Sequence, residues 1–182
     1  MRSSPFLLLL VASTLSISAC SKDKKEDPQP VATSTGEVQY LYGGTTYTIS
    51  SSATEVSAAL STASNNLVIT ASPEGKPGVS ISLLNLTAPG TRSFQKGTVL
   101  DNRTAVAQLT RHDSPASVKP AFSTLYGPGA TNGSITISDY DPATGFISGS
   151  FSFTGGPVNG SGATGTAAVT NGSFKFTKII KI

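Results

Sequence analysis

The stretch TAAVTNGSFKFT, Thr166–Thr177, decides the fold. Two alternating runs flank Asn171-Gly172. A two-residue type I′ turn needs positive φ at both central positions, and Asn-Gly is its favoured pair. A turn here sets Thr170 opposite Ser173, Val169 opposite Phe174 and Ala167 opposite Phe176. Those apolar residues then share one face, and Ala168 and Lys175 take the other. Turn chemistry and alternation agree, so the sequence predicts a β-hairpin over this stretch.

The same logic runs upstream. Ser134–Tyr140 and Phe146–Phe153 alternate on either side of Asp141-Pro142-Ala143-Thr144-Gly145, which has Pro early and Gly late, as in a type I turn closed by a left-handed residue. Pairing Tyr140 with Phe146 puts Ile137 opposite Gly149 and Ile135 opposite Phe151. Gly149 then leaves a gap for a neighbouring side chain to fill. Near the start, Val38–Tyr42 meets Gly43-Gly44 and Thr45–Ile49, which sets Tyr42 opposite Thr45 and Tyr40 opposite Tyr47. Residues 66–71 and 79–86 read as strands joined by a turn over 73–78. Residues 105–110 and 121–126 read as strands, and residues 90–101 have room for a short one. Ser52–Glu55 resembles a capping box before 56–60, which reads equally as a helix or an irregular strand. Gly155-Gly156-Pro157 and Gly160-Ser161-Gly162 read as a flexible hairpin tip.

Eight to ten strands, with turn signals about every ten residues, predict an all-β antiparallel sandwich or barrel-like fold built from hairpins. Helices do not alternate with the strands, which disfavours a parallel α/β enzyme.

The first thirty-five residues are different. Arg2 is followed by an uncharged apolar run, Phe6–Ile17, the length of a signal-peptide core and short of a spanning helix. Ile17-Ser18-Ala19-Cys20 resembles a bacterial lipobox, which implies a signal peptide over 1–19 and lipidation of Cys20. An ordinary signal peptide cut near Ala19 is the other reading, and it leaves a free thiol in an oxidising compartment. Cys20 is the chain's one cysteine, so lipidation accounts for both its count and its place. Several buried acyl chains hold a membrane where a single one does so only marginally. Over 20–35 the charges of Lys22–Asp27 alternate and cancel, Pro28 and Pro30 stiffen the chain around them, and no apolar periodicity appears. This segment is expected to be a flexible tether. One all-β domain, 36–182, comes after it.

Composition narrows the function. Thirteen Lys plus Arg stand against ten Asp plus Glu, and those in the domain are scattered singly, so no clustered basic face marks a nucleic-acid binder. With no cysteine in the domain and one histidine in the chain, thiolate and imidazole metal sites are excluded by count. His112 lies beside Asp113 and Ser114, but adjacent loop residues cannot form a nucleophile–base–acid relay, so a solvated loop is expected there. Asp139 and Asp141 lack the further oxygen ligands and glycine spacing of a calcium loop, so a hairpin turn is expected. A hydrolase would need carboxylates such as Glu37, Glu74 and Asp101 to converge from distant segments. Phosphate-cradling loops with a following Lys and helix are missing. No cofactor is expected.

The tyrosines are the remaining candidates. Tyr40, Tyr42 and Tyr47 cluster on the first hairpin and form a candidate aromatic contact patch for sugars. Cross-strand packing is the simpler reading, and the chain has no Trp.

From Asn132-Gly133-Ser134-Ile135-Thr136-Ile137, through Ile147-Ser148-Gly149-Ser150-Phe151-Ser152-Phe153, to Val169-Thr170-Asn171-Gly172-Ser173-Phe174, the chain resembles a family of small Bacteroidota lipoproteins. Tyr42-Gly43-Gly44-Thr45-Thr46-Tyr47 suits that family's first hairpin. The resemblance implies an all-β domain and carries no catalytic residues across. The expected protein is therefore a lipoprotein of the outer membrane, with the cell surface favoured over the periplasmic face, and with a non-catalytic binding or structural domain. Its expected partners are the membrane, through the lipid, and an envelope protein, a glycan or a hydrophobic ligand. A barrel that carries a small hydrophobe in its cavity is the alternative.

Overall fold

The computed structural model describes residues 33–51, 55–97, 105–114 and 117–182, within one compact unit, Ala32–Ile182. The lipobox, Cys20, the tether as far as residue 32, most of the 52–55 capping box and Asp101 lie outside the described residues. The last residues expected in the tether belong to the domain instead: Ser34 is buried with its hydroxyl accepting the Ala58 amide at 3.2 Å, and the first strand starts at Thr35.

The first hairpin has the expected register. Strands β1 (Thr35–Tyr42) and β2 (Thr45–Ser50) pair with Tyr42 opposite Thr45 and Tyr40 opposite Tyr47. Gly43 and Gly44 turn the chain at φ 58° and 79°, as a type I′ turn requires. Strand β3 (Val56–Ser61) is a regular strand with every second residue buried, which resolves the helix-or-strand ambiguity. Its partner β4 (Asn66–Ala71) pairs on with β5 (Gly78–Leu83). A short β6 (Gly90–Gln95) comes next.

The segment expected as a loop around His112 is instead a hairpin of β7 (Ala105–Ser114) and β8 (Ser117–Ser123), with Arg111 opposite Lys119 and His112 opposite Val118. Strand β8 stops at Ser123 rather than running on to residue 126, and Thr124–Tyr126 form a 3-10 turn. The Ser123 hydroxyl accepts the Leu125 amide, and the Thr124 hydroxyl accepts the Ala107 amide. Side chains thus satisfy the groups that a longer strand would have paired. Asn132 completes this buried corner. Its side-chain amide donates to the Thr124 carbonyl at 2.9 Å and its oxygen accepts from the Gly129 amide at 2.9 Å.

The largest correction concerns the opening stretch. Strands β9 (Thr131–Asp141) and β10 (Phe146–Pro157) form the expected hairpin, but β11 (Ala167–Lys178) runs straight through Asn171-Gly172. Asn171 takes a left-handed φ of 50°, but at a bulge rather than a turn. Val169 pairs with Phe153 and Gly172 with Phe151, one residue out of step, and the register against β1 shifts at the same place. A bulge adds one unpaired residue and resets the phase of alternation. Ala167, Val169, Gly172, Phe174 and Phe176 are therefore all buried on one strand. Gly155-Gly156-Pro157 belongs to β10 and is no hairpin tip. The connection over 158–166 is tied to β8 by the Val158 amide on the Ala121 carbonyl.

In the β9–β10 hairpin, Phe146 faces Asp141 rather than Tyr140, and a register shift after Ser148 restores the expected pairs Gly149–Ile137 and Ile135–Phe151. The last strand is β12 (Ile180–Lys181), beside β3 and the one parallel neighbour among the described residues.

Ten strands lie on one path, β12-β3-β4-β5-β7-β8-β10-β11-β1-β2, while β9 pairs with β10 and β6 with β9. The path curls into a half-barrel, nearly all β, with no α-helix among the described residues. Strand β10 is the branch. Most of it lies between β9 and β11, and Gly156-Pro157 pair with β8.

The concave interior is filled by aromatic and branched side chains. Phe94, Phe153, Phe151 and Phe174 touch in that order, with ring centroids 6.1 to 6.5 Å apart, the spacing at which offset and edge contacts are favourable. Three of the inward phenylalanines cover cross-strand glycines: Phe176 over Gly36, Phe174 over Gly149 and Phe151 over Gly172. The gap expected at Gly149 is thus filled by Phe174. On the convex side, Thr48, Gln39, Ser173, Ser150, Thr136 and Thr91 make one transverse row of polar side chains. Such a row suits a sheet with one face in water.

Candidate functional site: the tyrosine groove at the β2 edge

The first hairpin brings two tyrosines together. Tyr40 and Tyr47 stack with centroids 5.3 Å apart and planes 22° off parallel. Their roles differ. Tyr40 is fully buried, and its hydroxyl donates to the Pro77 carbonyl at 2.5 Å. Burial, and secondarily the neighbouring Tyr47, push its phenol well above the ordinary value. Tyr40 is therefore a core residue whose polar tip anchors the β4–β5 turn. It offers no face to a ligand. Tyr42 and Tyr47 are half-buried and pack against the core from its rim. Tyr126 is exposed on the 3-10 turn, and Tyr140 lies on β9, so the five tyrosines form no single platform.

Beside Tyr47 lies a groove of about 480 Å³. One wall is β2, Thr45–Ser50. The other is formed by Glu55, Pro73 and Lys76. Two bonds set the second wall: the Tyr40 hydroxyl holds Pro77, and a Glu55 carboxylate oxygen accepts the Glu74 amide at 3.0 Å. Hydroxyls, one aromatic ring, one carboxylate and one ammonium thus face a shared recess. This set can hydrogen-bond and stack. Sequence reasoning found Tyr47 and missed the opposite wall, because Pro73 and Lys76 come from the β4–β5 turn, 26 and 29 residues on in sequence, and Glu55 is joined to that turn by tertiary packing.

Among the described residues, strand β2 also ends the sheet. In a two-residue hairpin the flanking pair is hydrogen-bonded, so Thr45, Tyr47 and Ile49 direct their backbone groups at β1. The alternate residues, Thr46 and Thr48, direct theirs away from it. The Ser51 amide on the Gly36 carbonyl continues the same alternation.

The other candidates are dispersed. Glu37 pairs across strands with Lys175 and Ser50 on the convex face, and Glu74 lies in the β4–β5 turn. Among the described residues, no group of three or more His, Cys, Asp or Glu could hold a metal ion. Asp139 accepts from the Ser148 hydroxyl at 2.8 Å. Asp141 accepts from the Thr144 hydroxyl at 2.7 Å and the Ala143 amide at 2.8 Å, which together hold its carboxyl below the ordinary value. Both carboxylates serve the hairpin, as the turn reading expects.

A smaller recess of about 150 Å³ lies among Ser80, Ser82, Leu84, Val106, Gln108 and Leu125. Nothing in the sequence pointed to it, because Leu84 and Leu125 reach it from irregular segments.

Comparison of the chain with protein-family models, with curated proteins and with solved structures returns no match.

Proposed function

We propose that this chain is a lipid-anchored, non-enzymatic binding module that works at its surface. Cys20 carries the lipid, the residues from 21 to 32 act as the tether, and the domain meets its partner at the β2 groove. The filled interior carries this reading. Phe94, Phe151, Phe153 and Phe174 contact one another where a carrier would need a hollow lined by them. The recess beside Tyr47 opens instead at the sheet edge. The lipobox resemblance supports lipidation at Cys20, and the resemblance to small Bacteroidota lipoproteins supports an outer-membrane address, with the cell surface favoured over the periplasmic face.

The test is a melting screen of the domain from residue 31 onward, against glycans, fatty acids, haem, divalent metals and peptides. A ligand specific to the folded state, at a hundredfold excess over its Kd, adds about 3 kcal/mol. For a domain of this size that raises Tm by roughly 6–11 °C. The reading expects a shift from a polar or extended ligand that Tyr47→Ala abolishes. A shift from fatty acids that Tyr47→Ala leaves intact would assign the carrier function instead. Labelled palmitate should enter the wild type and fail to enter Cys20→Ser.

A further inference from the structure

One tetrapeptide occurs three times with a single change: Thr131-Asn132-Gly133-Ser134, Val158-Asn159-Gly160-Ser161 and Thr170-Asn171-Gly172-Ser173. Asn followed by Gly can react with itself, because glycine has no Cβ to hinder its nitrogen. The glycine backbone nitrogen attacks the Asn Cγ, and a C–N bond forms. The bond from Cγ to the side-chain nitrogen breaks, and ammonia leaves with the proton of the glycine N–H. Water then opens the cyclic imide at either carbonyl, giving aspartate or isoaspartate. The reaction needs a peptide that is free to turn its nitrogen towards Cγ.

The fold treats the three copies differently. Asn132 is buried, with both ends of its side-chain amide bonded, to the Thr124 carbonyl and the Gly129 amide. Gly133 pairs with Phe153 and lies so close to the Ser152 carbonyl oxygen that a Cβ there would overlap it. Asn171 is exposed, but Gly172 is buried beneath the Phe151 ring, and turning its peptide disturbs the pairing with Phe151. Asn159 and Gly160 are both exposed, in the connection between β10 and β11. They are the central residues of a turn closed by the Ser161 amide on the Val158 carbonyl at 3.0 Å. Gly160 has a φ of 77°, as the third residue of a type II turn requires. Nothing lies within 4 Å of where a Gly160 Cβ would stand. Among the described residues, no hydrogen bond holds the Asn159 side chain or the Gly160 amide. The peptide between them can flip while the closing bond stays, because type I and type II turns share that bond and differ in this peptide.

We propose that Asn159-Gly160 is a self-modification site: the folded protein converts Asn159 to isoaspartate and aspartate, while the fold shields Asn132 and Asn171. The conversion puts a carboxylate into a connection, residues 158–166, that carries no charge. In the isoaspartate form it also lengthens the backbone by a methylene. The Val158 amide and the Ser161 hydroxyl both donate to the Ala121 carbonyl, at 3.0 and 3.2 Å. The altered turn therefore stands at the fastening of this connection to β8.

Incubation of the full chain at mildly alkaline pH tests this, with digestion at acidic pH and peptide mass mapping at intervals. Each conversion replaces an amide NH2 by OH, a gain of one mass unit. Isoaspartate is read separately by methyl transfer from labelled S-adenosylmethionine, using protein isoaspartyl methyltransferase as the probe. In the folded chain, Asn159 should convert at least about tenfold faster than Asn132 or Asn171, since a local opening that costs about 1.4 kcal/mol already slows a shielded site by that factor. In urea the three rates should converge, because the tetrapeptides are nearly identical. Ion exchange should show an acidic form growing with time in the wild type and missing in Asn159→Gln. Conversion of Asn132 or Asn171 in the folded chain as fast as Asn159 overturns the proposal. So does an Asn159 that stays intact in the folded chain while it converts in urea. A ranking that persists unchanged in urea overturns it too, because sequence rather than fold would then set the order.

Discussion

Gly172→Ala adds one methyl group to the middle of β11. It would stand 2.5 Å from Cδ2 and Cε2 of Phe151 and 2.6 Å from that residue's carbonyl oxygen. The ring has little room to swing aside, because Phe153 and Phe174 stack near it at 6.4 and 6.5 Å. Overpacking a close-packed site costs about 1–3 kcal/mol. A backbone oxygen among the clashing atoms puts the cost near the top of that range, about 3 kcal/mol. Alanine restricts the unfolded chain and returns roughly 0.5 kcal/mol. The net loss of about 2.5 kcal/mol lowers Tm by roughly 5–10 °C in a domain of this size. Urea unfolding reads it as a lower midpoint with an unchanged slope. Adding Phe151→Leu should make the double variant at least about 1 kcal/mol more stable than the sum of the single effects. A loss under ~0.5 kcal/mol, or strict additivity, would refute the argument, because the Phe151 ring would then not lie over residue 172.

Three further perturbations probe the packing. Tyr40→Phe deletes the bond to Pro77 and should cost about 1 kcal/mol near neutral pH. It should also flatten the alkaline limb. The buried phenol keeps its proton above the ordinary pKa of about 10, while the unfolded chain loses its own there, so wild-type stability is full below that pH and falls above it by up to about 1.4 kcal/mol per pH unit. Asn132→Ala removes one of the two bonds to the Thr124 carbonyl, which keeps the Gly127 amide, and leaves the half-buried Gly129 amide without its partner, and should cost about 1–2 kcal/mol, read by urea unfolding. The Asp141 carboxyl should titrate below the ordinary range by NMR and return towards it in Thr144→Ala, because its stabilising bonds are made above the unfolded pKa and lost as pH falls through the folded one.

Where a turn had its own chemistry, the sequence was legible. Gly43-Gly44 between two alternating runs permits one register, and the chain adopts it. The β9–β10 hairpin was legible in its interior and off by one residue at its turn, where the pairing slips between Ser148 and Gly149. The Asn171-Gly172 stretch shows why equal chemistry can mislead. Val169 and Phe174 are five apart, an odd spacing, so they can share a face only if a turn or a bulge lies between them. Asn in the left-handed region serves either. The choice rests with β1 and β10, which offer register to both halves of the stretch, and no local pattern reveals them. The groove was half legible for a similar reason. Tyr47 is marked by its place opposite Tyr40, whereas Glu55, Pro73 and Lys76 join it by tertiary packing alone.

The β2 edge as the working surface is tested most directly by amide hydrogen exchange, residue by residue. In dilute monomer the outward amides of Thr46 and Thr48 should exchange quickly, while those of Tyr47 and Ile49, bonded to β1, are protected. With a bound partner, Thr46 and Thr48 should become protected as well. Protection of Thr46 and Thr48 in the dilute monomer, or exchange that nothing slows, would contradict the account.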